Sequence, residues 1–467
     1  MIVMKFGGSS LKDTHCIRRA VDIVAQHRDE QPVVVVSAIG RTTQALVRLG
    51  HTALTEGFPA AELLLDDLLQ DHRTLLGDLH VDPQPAAEIE SGIAQLGENI
   101  ARLLEGVSLL RELTPRTEDA IIGQGERFST LLFSAAASSA GLDVERVDAT
   151  KVIITDDRFR AARPDRDEIV TRARTAFLPL LETRRIPVIE GFIGATPEGT
   201  PTTMGFEASD YTASLLGAAL DASEIQIWTD VPGILTTGRS GVEGVLSVAE
   251  LSFDEAAELS FFGAKVLHPR TIDPAADRNI PVRILHSRDP EGTGTKIFGA
   301  PLRTGGAVKS IAVEKGVLLV RADSPRPVPA HRTLGFLGKT LDRHEISPQL
   351  LSVSGHRMVF AVSGSRNLHT MLGELGGRLE VSRKEDCAIV SLVGADTGTA
   401  PAVLTRATEV MGDIPILMTA QGVSDTSLSL VVSEADVQEV VERLHGAFFG
   451  EGFPDGTSAR EGEEAYP

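Results

Sequence analysis

Several short segments carry residue types suited to handling a phosphate and a small zwitterion. Lys5-Phe6-Gly7-Gly8-Ser9-Ser10 sets a lysine at the end of a strand-like run, with two glycines directly after it. The free amides of such a turn, ahead of a helix, form an anion site to which Lys5 adds a point charge. The same residues also suit a tight turn with a solvated lysine. Ser37 and Thr43 follow the run Val33–Val36. Hydroxyls at the carboxyl end of a parallel strand lie where α/β folds bind ligands, and they are equally good caps for the next helix. Glu126, in Gly123-Gln124-Gly125-Glu126-Arg127, opens a helical stretch. It can complement the helix dipole or receive a substrate ammonium. Ser209 and Asp210 open another helix, as caps or as groups that orient a lysine and a phosphate. Thr229-Asp230 leaves a strand into a turn, and Lys265 sits in the apolar run Phe261–Leu267, where an unpaired charge is costly. His268, before Pro269, reads as a structural hydrogen-bonder at a helix end.

The elements that must position these residues follow a strand–helix rhythm. Strands are expected at 2–6, 33–36, 187–189, 225–228 and 281–284, and helices at 13–28, 126–140, 209–220 and 253–266, with helix formers throughout 42–113. The four consecutive valines suit a strand buried on both faces of a parallel sheet. The pattern predicts a doubly wound, mostly parallel α/β domain over about 1–300. After the turn-rich Asp289–Thr295 come two smaller α+β units, at 305–382 and 383–449. Their expected strands are 310–313, 317–320, 350–353 and 358–362, then 387–393, 414–418 and 428–432. The tail 450–467, poor in apolar residues, is expected to be disordered.

Composition narrows the function classes. A chain of 467 residues exceeds what one core usually serves. Its 65 acids against 45 Lys and Arg give a net charge of -20, which disfavours nucleic acid and anionic membrane as partners. ATP is still compatible, because a local nest of amides and lysines holds phosphates within an acidic protein. The only cysteines, Cys16 and Cys387, are too few for a disulfide framework. No signal peptide and no run of about 20 apolar residues is read, so a cytoplasmic location is expected.

The strings KFGGSS, VVVVSAIGRTTQAL, GQGERFSTLLF, EGFIGAT, SDYTASLLGAAL, IQIWTDVPGI and FFGAKVLHPRTIDPA occur in this order over about 1–300. Together they resemble the aspartate kinases of the amino-acid kinase family. The last third, including AQGVSDTSLSLVVSEADVQEVVERLHGAFF, resembles the paired ACT domains of that family. The resemblance implies transfer of the γ-phosphoryl group of ATP to the side-chain carboxylate of L-aspartate, the first step toward lysine, threonine and methionine. It implies Lys5 at the transferring phosphate, Gly7, Gly8 and Ser9 as the phosphate cradle, and Asp210 organising Lys5. It places Ser37, Thr43, Glu126 and Ser209 on the substrate side and Thr229, Asp230 and Lys265 at the nucleotide. Mg²⁺ is expected on ATP oxygens and water, with no all-protein metal site. An amino-acid effector at the ACT units and a homodimer or larger homo-oligomer are implied too.

Three departures stand out. Where the family has an arginine and two glycines, the chain has Phe206, Glu207 and Ala208. The arginine grips the substrate α-carboxylate, and Arg127 or Arg41 are the available substitutes. The nucleotide loop reads Thr236-Thr237-Gly238-Arg239, one residue short. Gln349 and Gly355 stand where lysine-inhibited relatives carry acids, which weakens lysine inhibition or changes the effector. Two alternatives stay open: a weakened paralogue serving as an amino-acid sensor, and a kinase with another carboxylate acceptor.

Overall fold

The computed structural model describes residues 1–205, 208–263, 269–299, 308–325, 328–364 and 367–450. Phe206, Glu207, Lys265, His268 and the tail beyond 450 lie outside the described residues. Packing separates two compact units. The first combines Met1–Ile234, Ala249–Phe253 and Leu267–Pro301; the second combines Leu235–Val248, Asp254–Val266 and Leu302–Pro467.

The first unit is built on strands β1 (Ile2–Phe6), β2 (Val33–Val36), β3 (Val144–Val147), β4 (Ile186–Glu190), β5 (Ile193–Ala195), β6 (Pro201–Thr203), β7 (Glu224–Thr229), β8 (Glu250–Ser252), β9 (Val282–His286) and β10 (Thr295–Phe298). Eight of them form one sheet in the order β3-β4-β2-β1-β7-β9-β10-β8, and β5 with β6 make a separate hairpin. From β3 to β9 every neighbour is parallel; β10 runs antiparallel to β9. The chain winds from β1 to β2 in one direction and places β7 on the other side of β1. This reversal opens a crevice at the carboxyl ends of the central strands.

Alternation along β1 sets the layers. Ile2, Met4 and Phe6 join Val34, Val36 and Val188 in a core shared with the helices Thr14–Gln26, Thr42–Thr55, Phe58–Asp78, Pro83–Leu110 and Gln124–Ser139. Val3 and Lys5 therefore face the opposite side, toward the helix Ala208–Leu220. All four valines of β2 are fully buried, as expected of a strand covered on both faces.

The second unit carries a six-stranded antiparallel sheet, β12-β13-β11-β14-β16-β15. Its strands are β11 (Ser310–Asp323), β12 (Leu350–Ser354), β13 (Arg357–Ser363), β14 (Glu380–Val393), β15 (Met418–Ala420) and β16 (Ser427–Ser433). The separate short strands expected at 310–313 and 317–320 are one continuous strand, with a register shift between Glu314 and Val317 where it pairs with β14. Its two halves serve different cores. Ile311 packs with Val390, Leu392, Leu430 and the helix Val437–Phe449. Leu318 and Val320 pack with Leu337, Phe360 and the helix Leu368–Gly376. The strand expected at 414–418 shrinks to Met418–Ala420, because Pro415 offers no amide to the ladder and limits pairing to the sheet edge. The segment Leu235–Val248 docks here. Ile311 N donates to Thr236 O (2.8 Å), Thr236 Oγ1 bonds His445 Nε2 (2.9 Å), and Arg239 donates to Gln438 Oε1 (3.0 Å). No helix among the described residues is long and apolar enough to cross a membrane.

Candidate active site

Register brings the candidate residues to one edge of the first unit. Lys5 stands opposite Val35 and Ile227, and Val35 opposite Ile189, so β1, β2, β4 and β7 end side by side. Backbone bonds lace those ends together: Ser37 N donates to Phe6 O (3.1 Å), Gly40 N to Gly8 O (3.0 Å) and Gly191 N to Val36 O (2.9 Å). The approach is close. A Cβ on Gly8 would lie 2.6 Å from Ala38 O, so no side chain fits there without moving the backbone.

Lys5, on the face turned toward the helix Ala208–Leu220, meets Asp210 of its first turn; Nζ and Oδ1 are 2.6 Å apart. Both side chains are about nine-tenths buried, so removal of either partner would leave the other's charge uncompensated. The turn after β1 differs from the expectation in one respect. Gly7 N is not free, since it donates to Trp228 O (3.1 Å) and extends the β1–β7 ladder. A Cβ on Gly7 would meet Lys5 Nζ at 3.6 Å, Trp228 O at 3.7 Å and Ser9 Oγ at 3.9 Å, ordinary contact distances, so packing does not demand a glycine here. The amides that can face an anion are those of Gly8 and Ser9, which open the short 3₁₀ turn Gly8–Leu11 and have no partner within it.

Glu126 forms a second polar centre. Its Oε1 accepts from Ala38 N (3.2 Å), while Oε2 is buried with no hydrogen-bond partner among the described residues. Burial pushes this carboxyl up to about 8, with the nearby Glu190 carboxylate adding to the rise. Glu190, at the end of β4, is raised by burial as well, although it accepts from Ala149 N (2.9 Å) and Thr130 Oγ1 (3.2 Å). A buried carboxylate oxygen without a donor is suited to a cation such as a substrate ammonium.

Ser209 lies against Gly191, where a Cβ would come within 2.7 Å of the serine Cβ, so the helix bearing Ser209 and Asp210 abuts the end of β4. Ser37 and Thr43 are half-buried, on the β2 turn and in the first turn of the following helix. Thr229, also half-buried, ends β7, and its hydroxyl donates to the exposed Asp230 (3.3 Å). Among the described residues no hydrogen bond joins Ser37, Thr43 or Ser209 to the Lys5–Asp210 pair. Of the two arginines offered in place of the missing one, Arg127 is 3.8 Å from Asp148, and Arg41 is exposed. Thr236 and Thr237 are buried in the second unit. Gln349 donates to Glu314 Oε1 (3.2 Å), while Gly355 sits in the tight β12–β13 turn at φ 59°. Glu190 and Gly191 open the string EGFIGAT but received no role from the sequence, and the buried carboxylate of Asp119 was not singled out at all.

The amino acid kinase family model matches residues 1–286, and an ACT domain model matches 390–448. The lysine-sensitive aspartokinase 3 of Escherichia coli is 34% identical over 463 residues, covering 96% of this chain and 99% of that protein. The chain belongs to the aspartokinases. The structure of E. coli aspartokinase III in complex with aspartate and ADP superposes with a TM-score of 0.84 at 32% identity, over 96% of this chain and all of that one. The same protein in complex with lysine and aspartate gives 0.80 at 33% identity, over 96% and 99%. The eight-stranded sheet is thus the amino-acid kinase fold, and the aspartokinase architecture continues into C-terminal ACT domains, as the order of motifs implied.

Proposed function

We propose that the chain transfers the γ-phosphoryl group of ATP to the side-chain carboxylate of L-aspartate, giving 4-phospho-L-aspartate and ADP. The observation that carries this reading is the pairing of two unlike centres at adjoining strand ends. One is a buried lysine–carboxylate pair beside a glycine turn, suited to phosphate. The other is the buried carboxyl of Glu126 with an unused oxygen, suited to an ammonium. A relative matched over its whole length binds aspartate and ADP.

In this reading Lys5 neutralises the transferring phosphoryl group, and the turn of Gly7, Gly8 and Ser9 cradles it, with Gly8 and Ser9 presenting amides. Asp210 aims Lys5. Glu126 receives the aspartate ammonium, with Ser37, Thr43 and Ser209 lining the same side. Thr229, Asp230 and Lys265 serve the nucleotide. A side-chain carboxylate oxygen bonds to the γ-phosphorus as the bond to the β–γ bridging oxygen breaks, and ADP leaves with that electron pair. The acceptor is already anionic at neutral pH and needs no general base, so positioning and charge neutralisation supply the catalysis. Among the described residues no group of three or more His, Cys, Asp or Glu is placed to hold a metal. Mg²⁺ would be carried on the triphosphate oxygens, where it offsets their charge.

The catalytic region is assigned to 1–300 and the ACT units to 305–382 and 383–449, with Val308 and Ile311 lending their side chains to the core of the second of these units. The proposed setting is the cytoplasm, on the branch toward lysine, threonine and methionine. The edge strand β12 exposes Leu351 (40%) and Val353 (38%). An uncovered apolar edge invites pairing with a second copy. Sedimentation should therefore show a dimer or larger oligomer that Val353→Lys weakens; a monomeric wild type would reject the assembly.

Purified protein with Mg-ATP is expected to release ADP on addition of aspartate and far less with glutamate or no acceptor. Equal release with glutamate would assign another acceptor. Amino-acid binding without turnover would assign a sensor. Adding lysine or threonine to the same assay identifies the effector.

A further inference from the structure

Asp119 lies outside every role assigned so far. It is fully buried, on the helix Pro115–Ile122, and burial pushes its carboxyl up. An ionised group in such a place survives only when its lone pairs are satisfied. Three donors meet it. Thr203 N donates to Oδ2 (2.9 Å), Thr203 Oγ1 to Oδ1 (2.8 Å) and Arg160 N to Oδ2 (2.9 Å). The Arg160 side chain turns elsewhere, to Glu118 (3.2 Å). The carboxylate therefore grips two loops by their backbones.

Those loops adjoin the site. Thr203 ends β6, seven positions before Asp210. Arg160 holds a left-handed backbone at φ 71°, which a non-glycine residue adopts only under constraint. Its carbonyl lies 3.3 Å from where a Cβ of Gly205 would stand, and Gly205 is itself at φ 94°. Two unusual backbone positions thus touch one another where the chain leaves β6 toward the helix of Ser209 and Asp210. The other arm runs through the main chain of Asp119. Its carbonyl accepts from Gly123 N (3.0 Å), the residue between the helices Pro115–Ile122 and Gln124–Ser139, and a Cβ on Gly123 would stand 3.1 Å from Ile193. Glu126 follows in the first turn of the second helix.

We infer that Asp119 is a positioning residue for the acceptor amino acid, tying the helix start that carries Glu126 to the loops that deliver Ser209; Asp210, next in the same turn, moves with Ser209 and carries the effect into kcat rather than into ATP binding. It touches no reacting atom. A carboxylate accepts from all three partners as they stand; an amide keeps the two backbone bonds on its one oxygen only by turning the Thr203 hydroxyl from donor to acceptor. A displacement of about 1 Å in such groups costs on the order of a hundredfold in rate. The nucleotide side, at the end of β7 and the Gly7–Ser9 turn, is anchored by bonds independent of Asp119.

The inference rests on the aspartate kinase reading, and steady-state kinetics separates the two. If the wild type shows no aspartate-dependent ADP release, both fall. If it is active, Asp119→Asn is expected to lower kcat/KM for aspartate by about tenfold or more, with KM for ATP changed by less than about twofold. A purely structural role would lower the melting temperature while leaving that ratio of effects unmoved, and would overturn the inference. Thr203→Val removes only the hydroxyl donor and keeps the backbone bonds. It should give a smaller loss of the same selective kind, and an unchanged kcat/KM for aspartate in a folded Thr203→Val protein overturns the inference even if Asp119→Asn does not fold.

Discussion

Lys5→Ala lowers kcat for aspartate-dependent ADP release by about a thousandfold or more, the scale set by removing one preorganised group that stabilises transition-state charge. The variant loses the cation at the phosphate and also leaves Asp210 buried without its partner at 2.6 Å. Stability should fall with activity, since an uncompensated buried charge costs about 3–5 kcal/mol. Lys5→Ala with Asp210→Asn distinguishes the two losses. The double variant removes the stranded carboxylate and should regain melting temperature without regaining turnover, because residues that act as a unit are not additive. A Lys5→Ala enzyme retaining more than about a tenth of wild-type turnover would remove Lys5 from the mechanism.

The second large effect concerns Glu126. With its carboxyl raised to about 8 by burial, free enzyme at neutral pH holds it mainly protonated, whereas a substrate ammonium needs the carboxylate. The kcat/KM for aspartate should rise with pH, bend near 8 and level off above it, since that ratio reports groups of the free enzyme. Glu126→Gln should flatten the rise and lower kcat/KM by on the order of a hundredfold, the worth of a charge-assisted hydrogen bond. Stability has a definite sign as well. The folded value lies above the ordinary 4.5, so the contribution of this group is fully present below about 4.5 and is lost as pH rises through about 8. Glu126→Gln should therefore gain on wild type in melting temperature as pH is raised across that window. A wild-type profile flat between pH 6 and pH 9 would contradict the assigned role.

The parts legible in the sequence were those with strong local character. The valine run of β2, Lys5 before two glycines, and Ser209-Asp210 opening a helix each announce a strand end or a helix start, and parallel register does the rest. Other features needed three dimensions. Asp119 follows Glu118 on an amphipathic helix, where paired acids look like a solvated face; only folding sets Thr203 and Arg160 against it. Gly7 advertised a free amide, yet the neighbouring strand takes it. The helix Leu368–Gly376 went unread although Leu368, Met371, Leu372 and Leu375 have helical spacing, because Gly364, Gly373, Gly376 and Gly377 signal a loop. A Cβ at Gly373 or Gly376 would meet open space, so neither glycine is required by packing. Pro415 in an apolar run was the clue that 414–418 could not all be strand.

The continuous strand β11 bears on how the regulatory region changes over time and under stress. Ile311 belongs to one core, Leu318 and Val320 to the other, and the backbone between them is shared along a single ladder with β14. Neither half can be melted, excised or exchanged by recombination as an independent module, because each would carry away part of its neighbour's hydrophobic interior. Amide exchange should accordingly show the two halves opening as one cooperative block, and a mutation that loosens one half is inherited as a weakness of both.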